Sequence, residues 1–223
     1  MELLVTYRPT LDIEKLKDCG VSGIIAGTSL SHRYELSRDD LANLSKHAKT
    51  TGLSFYGDID ILVEETMIPA IAEYLDFLSS INCNGIYFHD LSVYYLALKG
   101  SLQETLIYDS GPLITNSLDA IFFLEKGIKA VVLARELNME EIIKIGKMTD
   151  GQVDVQVGGH IMMAESRRNF ISDYLDYIGK PDKEGEHFIV EQSRTGKAPI
   201  SKISMVHASI RIRSFYAYMN FWI

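Results

Sequence analysis

The stretch Val153–Gly179, VDVQVGGHIMMAESRRNFISDYLDYIG, decides how the rest of the chain is read. It opens on alternating valines, Val153, Val155 and Val157, the period of a strand. Two glycines, Gly158 and Gly159, then deliver His160. Phe170, Ile171, Tyr174, Leu175 and Ile178 follow at helical spacing on one face. The pattern predicts a βα unit: strand, glycine turn, histidine, helix. Its polar groups fall at the strand's carboxyl end, where parallel α/β proteins bind ligands.

The same alternation extends back to the N-terminus. Short apolar runs at Leu3–Tyr7, Gly23–Ala26, Leu53–Tyr56, Gly85–Phe88, Thr105–Tyr108 and Ala130–Leu133 predict six earlier strands. Between them lie helical patterns, several with explicit ends. Ser37-Arg38-Asp39-Asp40 opens one helix and Gly52 closes it. Asn138 with Glu141 forms a capping box for another. His187–Val190 supplies a candidate eighth strand. Repeated right-handed βα crossovers curl into a barrel. A full (β/α)₈ barrel takes about 250 residues, and this chain has 223. The expected fold is therefore an α/β TIM-type (β/α)₈ barrel, incomplete or with an altered C-terminus. One barrel domain is expected over 1–200, with an atypical tail over 201–223; an open doubly wound sheet is the competing architecture.

Composition narrows the class. Hydrophobic residues make up 47% of the chain, enough for one large core. A net charge of −8 argues against strong unaided nucleic-acid binding, though not against a local RNA contact or one made through a partner. Cys19 and Cys83 are far apart without CxxC spacing, so reduced, intracellular thiols and a cytoplasmic location are expected. The start, MELLVTYRPT, has neither a basic flank nor a long apolar run, so no signal peptide or membrane span is expected.

The tail Lys202–Ile223 breaks the pattern and carries the sole tryptophan, Trp222. Codons exist for Ile200–His207 that, read one base earlier, give Phe-Glu-Asp-Ile-His-Gly-Thr. A frameshift near Ile200 is one reading and a genuine amphipathic end is the other. Sequencing the source gene across this codon decides between them.

Several residues are placed to carry chemistry. His160 is a candidate acid, base or ligand-binding group, or else a capping or partly buried histidine. Arg135 and Glu136 follow strand six; the arginine can clamp a carboxylate or phosphate, or pair internally to fix the rim. Asp58, Asp60, His89, Asp90 and Asp109 sit at predicted strand ends. They suit an oxygen-rich divalent metal site or, the reading adopted, helix capping and substrate contact without a metal. Arg168, beside Arg167 and Glu165, is a candidate anion contact or a solvated ion-pair partner. Walker, GxGxxG, GxSxG and HExxH patterns are missing from the sequence.

Two segments resemble the U32 peptidases, also called collagenase-like proteases. Val131–Leu137 followed by Met139–Ile142 is similar to that family's LAREL-x-x-EEI segment. Asp154–Ser172 falls over the signature E-x-F-x-x-G-[AS]-[LM]-C-x4-G-x-C-x-[LIVM]-S, with Asp154 at the Glu position and Gly159, Ile171 and Ser172 matching. Met162 and Asn169 stand where the signature has cysteines, and Arg167 where it has Gly. The resemblance implies an intracellular barrel with its site at the strand carboxyl ends, and the strand-end reading above makes Arg135, Glu136 and His160 its candidate catalytic residues. Arg168, Asp58, His89 and Asp109 would contact substrate. Full-cysteine members hold an iron–sulfur cluster; the two replacements imply that this chain binds none through the motif. A peptidase or hydrolase is the first functional expectation. The second is a non-proteolytic subunit acting with a larger, cysteine-bearing U32 paralogue in tRNA uridine 5-hydroxylation, and the third a barrel scaffold without catalysis. A homo-oligomer is a further possibility for its assembly.

Overall fold

The computed structural model describes residues 2–31, 35–158, 161–166, 168–181, 187–190, 197–203 and 207–212. Contacts divide the chain into two compact units, Met1–Val155 and Gln156–Ile223.

In the first unit seven strands alternate with six helices. In chain order they are β1 (Leu4–Thr6), α1 (Ile13–Asp18), β2 (Gly23–Gly27), α2 (Arg38–Thr51), β3 (Ser54–Ile59), α3 (Ile68–Ser80) and β4 (Gly85–Phe88). Then come α4 (Leu91–Lys99), β5 (Leu106–Tyr108), α5 (Ser117–Leu124), β6 (Ala130–Val132), α6 (Met139–Met148) and β7 (Val153–Asp154). The strands form one sheet in the order β1 to β7, every neighbouring pair parallel. Helix starts follow the sequence signals. Asp12, Ser37, Asp90, Asn116 and Asn138 accept backbone N–H groups of the first turn. Gly52 closes α2 in the left-handed conformation with φ 78°.

Each strand has two faces, and the two pack differently. Ile24, Phe55, Ile86, Phe88, Leu106, Val131 and Leu133 belong to the large buried cluster shared with the helices. The alternate residues Ile25, Tyr56, Tyr87, Ile107, Ala130 and Val132 form a second, smaller cluster. The curl is shown most directly by Tyr87 on β4, whose hydroxyl donates to Asp154 Oδ2 on β7 at 2.6 Å. Three strand spacings separate these strands, about 14 Å in a flat sheet. The strands therefore curve around an interior, and the unit is an incomplete (β/α) barrel with β1 and β7 at its edges.

The second unit is built differently. Here β8 (Ile161–Ser166), β9 (His187–Val190), β10 (Lys197–Ile203) and β11 (His207–Ile212) form an antiparallel sheet in the order β8-β11-β10-β9, and the described residues also include the helix α7 (Phe170–Tyr177). Three expectations change. The strand predicted through Val157 stops at Asp154, and β8 intervenes before the helix. The run His187–Val190 is a strand, but it pairs antiparallel with β10 instead of closing the barrel. A four-residue apolar run carries no information about which sheet it joins. Lastly, part of the tail is a strand, because Ala208, Ile210 and Ile212 alternate with His207, Ser209 and Arg211. Residues 213–223, with Trp222, lie outside the described set. Among the described residues no helix is long and apolar enough to cross a membrane.

Candidate site at the barrel mouth

The carboxyl ends of β4, β5 and β6 bring three predicted residues together. Tyr87 and Ile107 face the interior, so the alternation carries His89 and Asp109, two residues on, to the same side. Arg135 arrives from the turn after β6. Its Nη2 donates to both carboxylate oxygens of Asp109, at 3.2 and 3.0 Å. Both side chains are largely buried, 15% and 13% exposed, so this pair is more than a solvated surface contact. Asp109 Oδ1 also accepts from the Gly111 backbone at 3.1 Å. Its own carbonyl oxygen lies 2.8 Å from His89 Nδ1. A carbonyl partner only accepts, so Nδ1 carries the proton of this bond.

Gly111 shapes this cluster. Its φ of +69° is a conformation that side-chain-bearing residues rarely adopt. A Cβ placed there would lie 3.8 Å from Arg135 Nη1 and 4.0 Å from His89 Cε1. A first side-chain carbon would thus sit in ordinary van der Waals contact with both, and its absence leaves a gap between a guanidinium and an imidazole.

The remaining candidates fare differently. Asp58 is fully buried at 0% exposure and accepts from the Ser31 hydroxyl. This internal bond ties the β2–α2 connection to β3. Gly27 allows it, since a Cβ there would lie 2.5 Å from Ser31 Cβ. Asp90 caps α4, accepting from Ser92 N at 2.9 Å and Val63 N at 3.1 Å. Burial works to raise its pKa, but these backbone donors, the Ser92 hydroxyl and His89 prevail and hold it below the usual carboxylate value. Glu136 is exposed in a turn after Arg135. Arg168 belongs to the second unit and is exposed, its backbone N–H bonded to Ser166 Oγ at 3.2 Å. His160 lies outside the described residues. Among the described residues no three His, Cys, Asp or Glu side chains are grouped to hold a metal ion.

Two interior residues, Tyr87 and Asp154, were absent from the predicted site. A signal existed: if Val153 and Val155 pack toward the helices, as they do, then Asp154 between them points inward. Burial raises the Asp154 pKa, the Tyr87 hydrogen bond pulls it back, Glu2 raises it, Lys129 lowers it and Asp109 raises it; the net direction is up.

An iron–sulfur cluster does not fit this chain. A cluster takes four thiolates, and the chain has two cysteines. Cys19 is exposed at the end of α1, while burial pushes the Cys83 thiol up to about 12.

Comparison with known proteins agrees with this architecture. The profile of peptidase family U32 matches residues 19–186. The chain is 29% identical over 211 residues to tRNA hydroxylation protein P2 of Bacillus subtilis (strain 168), covering 89% of this chain and 67% of that protein. It is 23% identical over 216 residues to tRNA hydroxylation protein P of Helicobacter pylori (strain ATCC 700392 / 26695), covering 84% of this chain. Only 51% of that second relative's length is spanned. Among solved structures, the U32 peptidase Mk0906 superposes with a TM-score of 0.55 at 18% identity, covering 72% of this chain and 70% of that one. Family profile, relatives and barrel agree: the chain belongs to peptidase family U32.

Proposed function

We propose that this protein serves in tRNA hydroxylation, as a non-proteolytic U32 member that binds a small carboxylate at the His89–Asp109–Arg135 cradle. The observation that carries the reading is the similarity, over 89% of the chain, to a protein named for tRNA hydroxylation. The cradle supports it chemically. Asp109 fixes Arg135 on one side, and Gly111 leaves room for an anion between Arg135 and His89. With two cysteines the chain supplies no cluster of its own, so a cysteine-bearing paralogue is the partner this reading calls for. A tRNA substrate puts the work in the cytoplasm.

The test is a deletion strain whose tRNA nucleosides are measured by mass spectrometry. Hydroxyuridine is expected to fall, to return with the wild-type gene, and to stay low with Arg135→Ala. Unchanged hydroxyuridine in the deletion overturns the proposal. Proteolysis, the reading that the family's name favours, is checked on the purified chain with gelatin and labelled peptides, with and without added metal. Cleavage would overturn the non-proteolytic assignment. None is expected, since Cys83 is held as a thiol.

A further inference from the structure

We propose that Asp154, braced by Tyr87, is the proton-exchanging group of the barrel mouth, and that a carboxylate entering the Arg135 cradle binds with uptake of one proton by Asp154. The proposal rests on the carboxylate reading of that cradle. Its geometry is independent of it.

Asp154 pairs in register with Val132, whose side chain belongs to the interior cluster, so its carboxyl faces inward. The Leu133 backbone N–H donates to the Asp154 carbonyl at 2.9 Å. Arg135 is thus two residues beyond the point where Asp154 is fastened to β6. Along the chain that is about 7 Å of extended backbone. One oxygen, Oδ2, accepts from Tyr87 at 2.6 Å. Tyr87 is itself buried and rests edge-on against Tyr56, with ring centroids 5.9 Å apart, so the donor's position is fixed by packing.

The ionisable groups facing Asp154 come from four elements. Glu2 precedes β1, Tyr87 lies on β4, Asp109 follows β5 and Lys129 precedes β6. Two of them are carboxylates and one is a cation. Burial and these two negative charges already work against ionisation of Asp154, and Tyr87 and Lys129 only partly offset them. An arriving anion adds a third negative charge to the same partly desolvated space. Protonating Asp154 is the least costly way to accommodate it. The step is a proton transfer from solvent to a carboxylate oxygen, with no bond broken in the ligand.

Acetate is the probe, titrated into the purified full chain from pH 5.5 to 8. In the wild type, acetate affinity should fall toward tenfold per pH unit once the pH exceeds the Asp154 titration, the slope of one coupled proton. His89 would produce a similar trend if its own protonation governed binding, so the variants decide. Asp154→Asn keeps an acceptor for Tyr87 and should bind acetate with an affinity that is flat across this range. Tyr87→Phe removes a bond that favours the ionised form and should move the fall to higher pH. Circular dichroism confirms that each variant is folded, and if the Asp154→Asn variant does not fold, the Tyr87→Phe shift alone decides. A pH slope that survives in Asp154→Asn, a flat wild-type profile, or an unmoved profile in Tyr87→Phe overturns the proposal. Absence of acetate binding at every pH overturns both it and the cradle's ligand class. The nucleoside measurement would then still report separately on the tRNA role.

Discussion

At the scale of single residues, the mouth is organised by pairs whose members depend on each other. Arg135→Ala would leave the largely buried Asp109 carboxylate without its cation, and a loss of about 2 kcal/mol is expected in chemical denaturation. Asp90 makes a pH-dependent contribution whose sign follows from its lowered pKa. Its caps on Ser92 and Val63 stabilise the fold above the ordinary carboxylate range and are lost as pH falls through the depressed value. Asp90→Ala should cost about 1 kcal/mol at neutral pH, and the gap from wild type should close in strong acid. A gap that widened on acidification would contradict this. Gly111→Ala is expected to weaken acetate binding while costing about 1 kcal/mol in stability, because it both strains a left-handed residue and fills the cradle. His89, Asp109 and Arg135 were all legible in the sequence as polar residues directly after apolar runs. Glu136 looked equivalent to Arg135 in the sequence but is exposed, since adjacent residues in a turn need not share a direction. A strand-end carboxylate such as Asp58 looks the same in sequence whether it meets a ligand or a serine from the neighbouring connection.

At the scale of elements, local signals wrote most of the barrel unit. Helix α6 carries a capping box, Asn138 accepting from Glu141 N at 3.0 Å and Glu141 accepting from Asn138 N at 2.9 Å. Asn138→Ala removes one half of it and should destabilise by about 1 kcal/mol, read as a shift in the denaturation midpoint. Gly27→Ala should cost more, because the new methyl would collide with Ser31 and push it off Asp58. The unit's strands were legible because each helix between them has a marked beginning or end. What the sequence left ambiguous was partner choice: β9 and the tail strands are apolar or alternating runs with no helix after them among the described residues to declare a crossover. Parallel or antiparallel pairing of such a run depends on long-range contacts, which periodicity does not encode.

At the scale of the molecule, two units follow one another with opposite construction, a parallel barrel portion and an antiparallel sheet. The U32 match runs from residue 19 to 186 and so spans parts of both. The relatives named for tRNA hydroxylation are longer; this chain covers 67%, 51% and 44% of their lengths. If a cysteine-bearing paralogue completes the activity, iron should co-purify with a complex of the two and be missing from this chain expressed alone. Iron bound stoichiometrically by the lone chain would contradict that division of labour.

One bond gains meaning from the strand count. A closed cylinder keeps its curvature because its last stave is stitched to its first, whereas a seven-strand arc has no such seam. The Tyr87 hydroxyl reaching Asp154 works as an inner tie-rod, pulling the far margin of the arc toward its middle. Cutting it should let that margin fray, so hydrogen exchange in Tyr87→Phe should quicken first at the amides of Val131 and Leu133, which hold the short final strand.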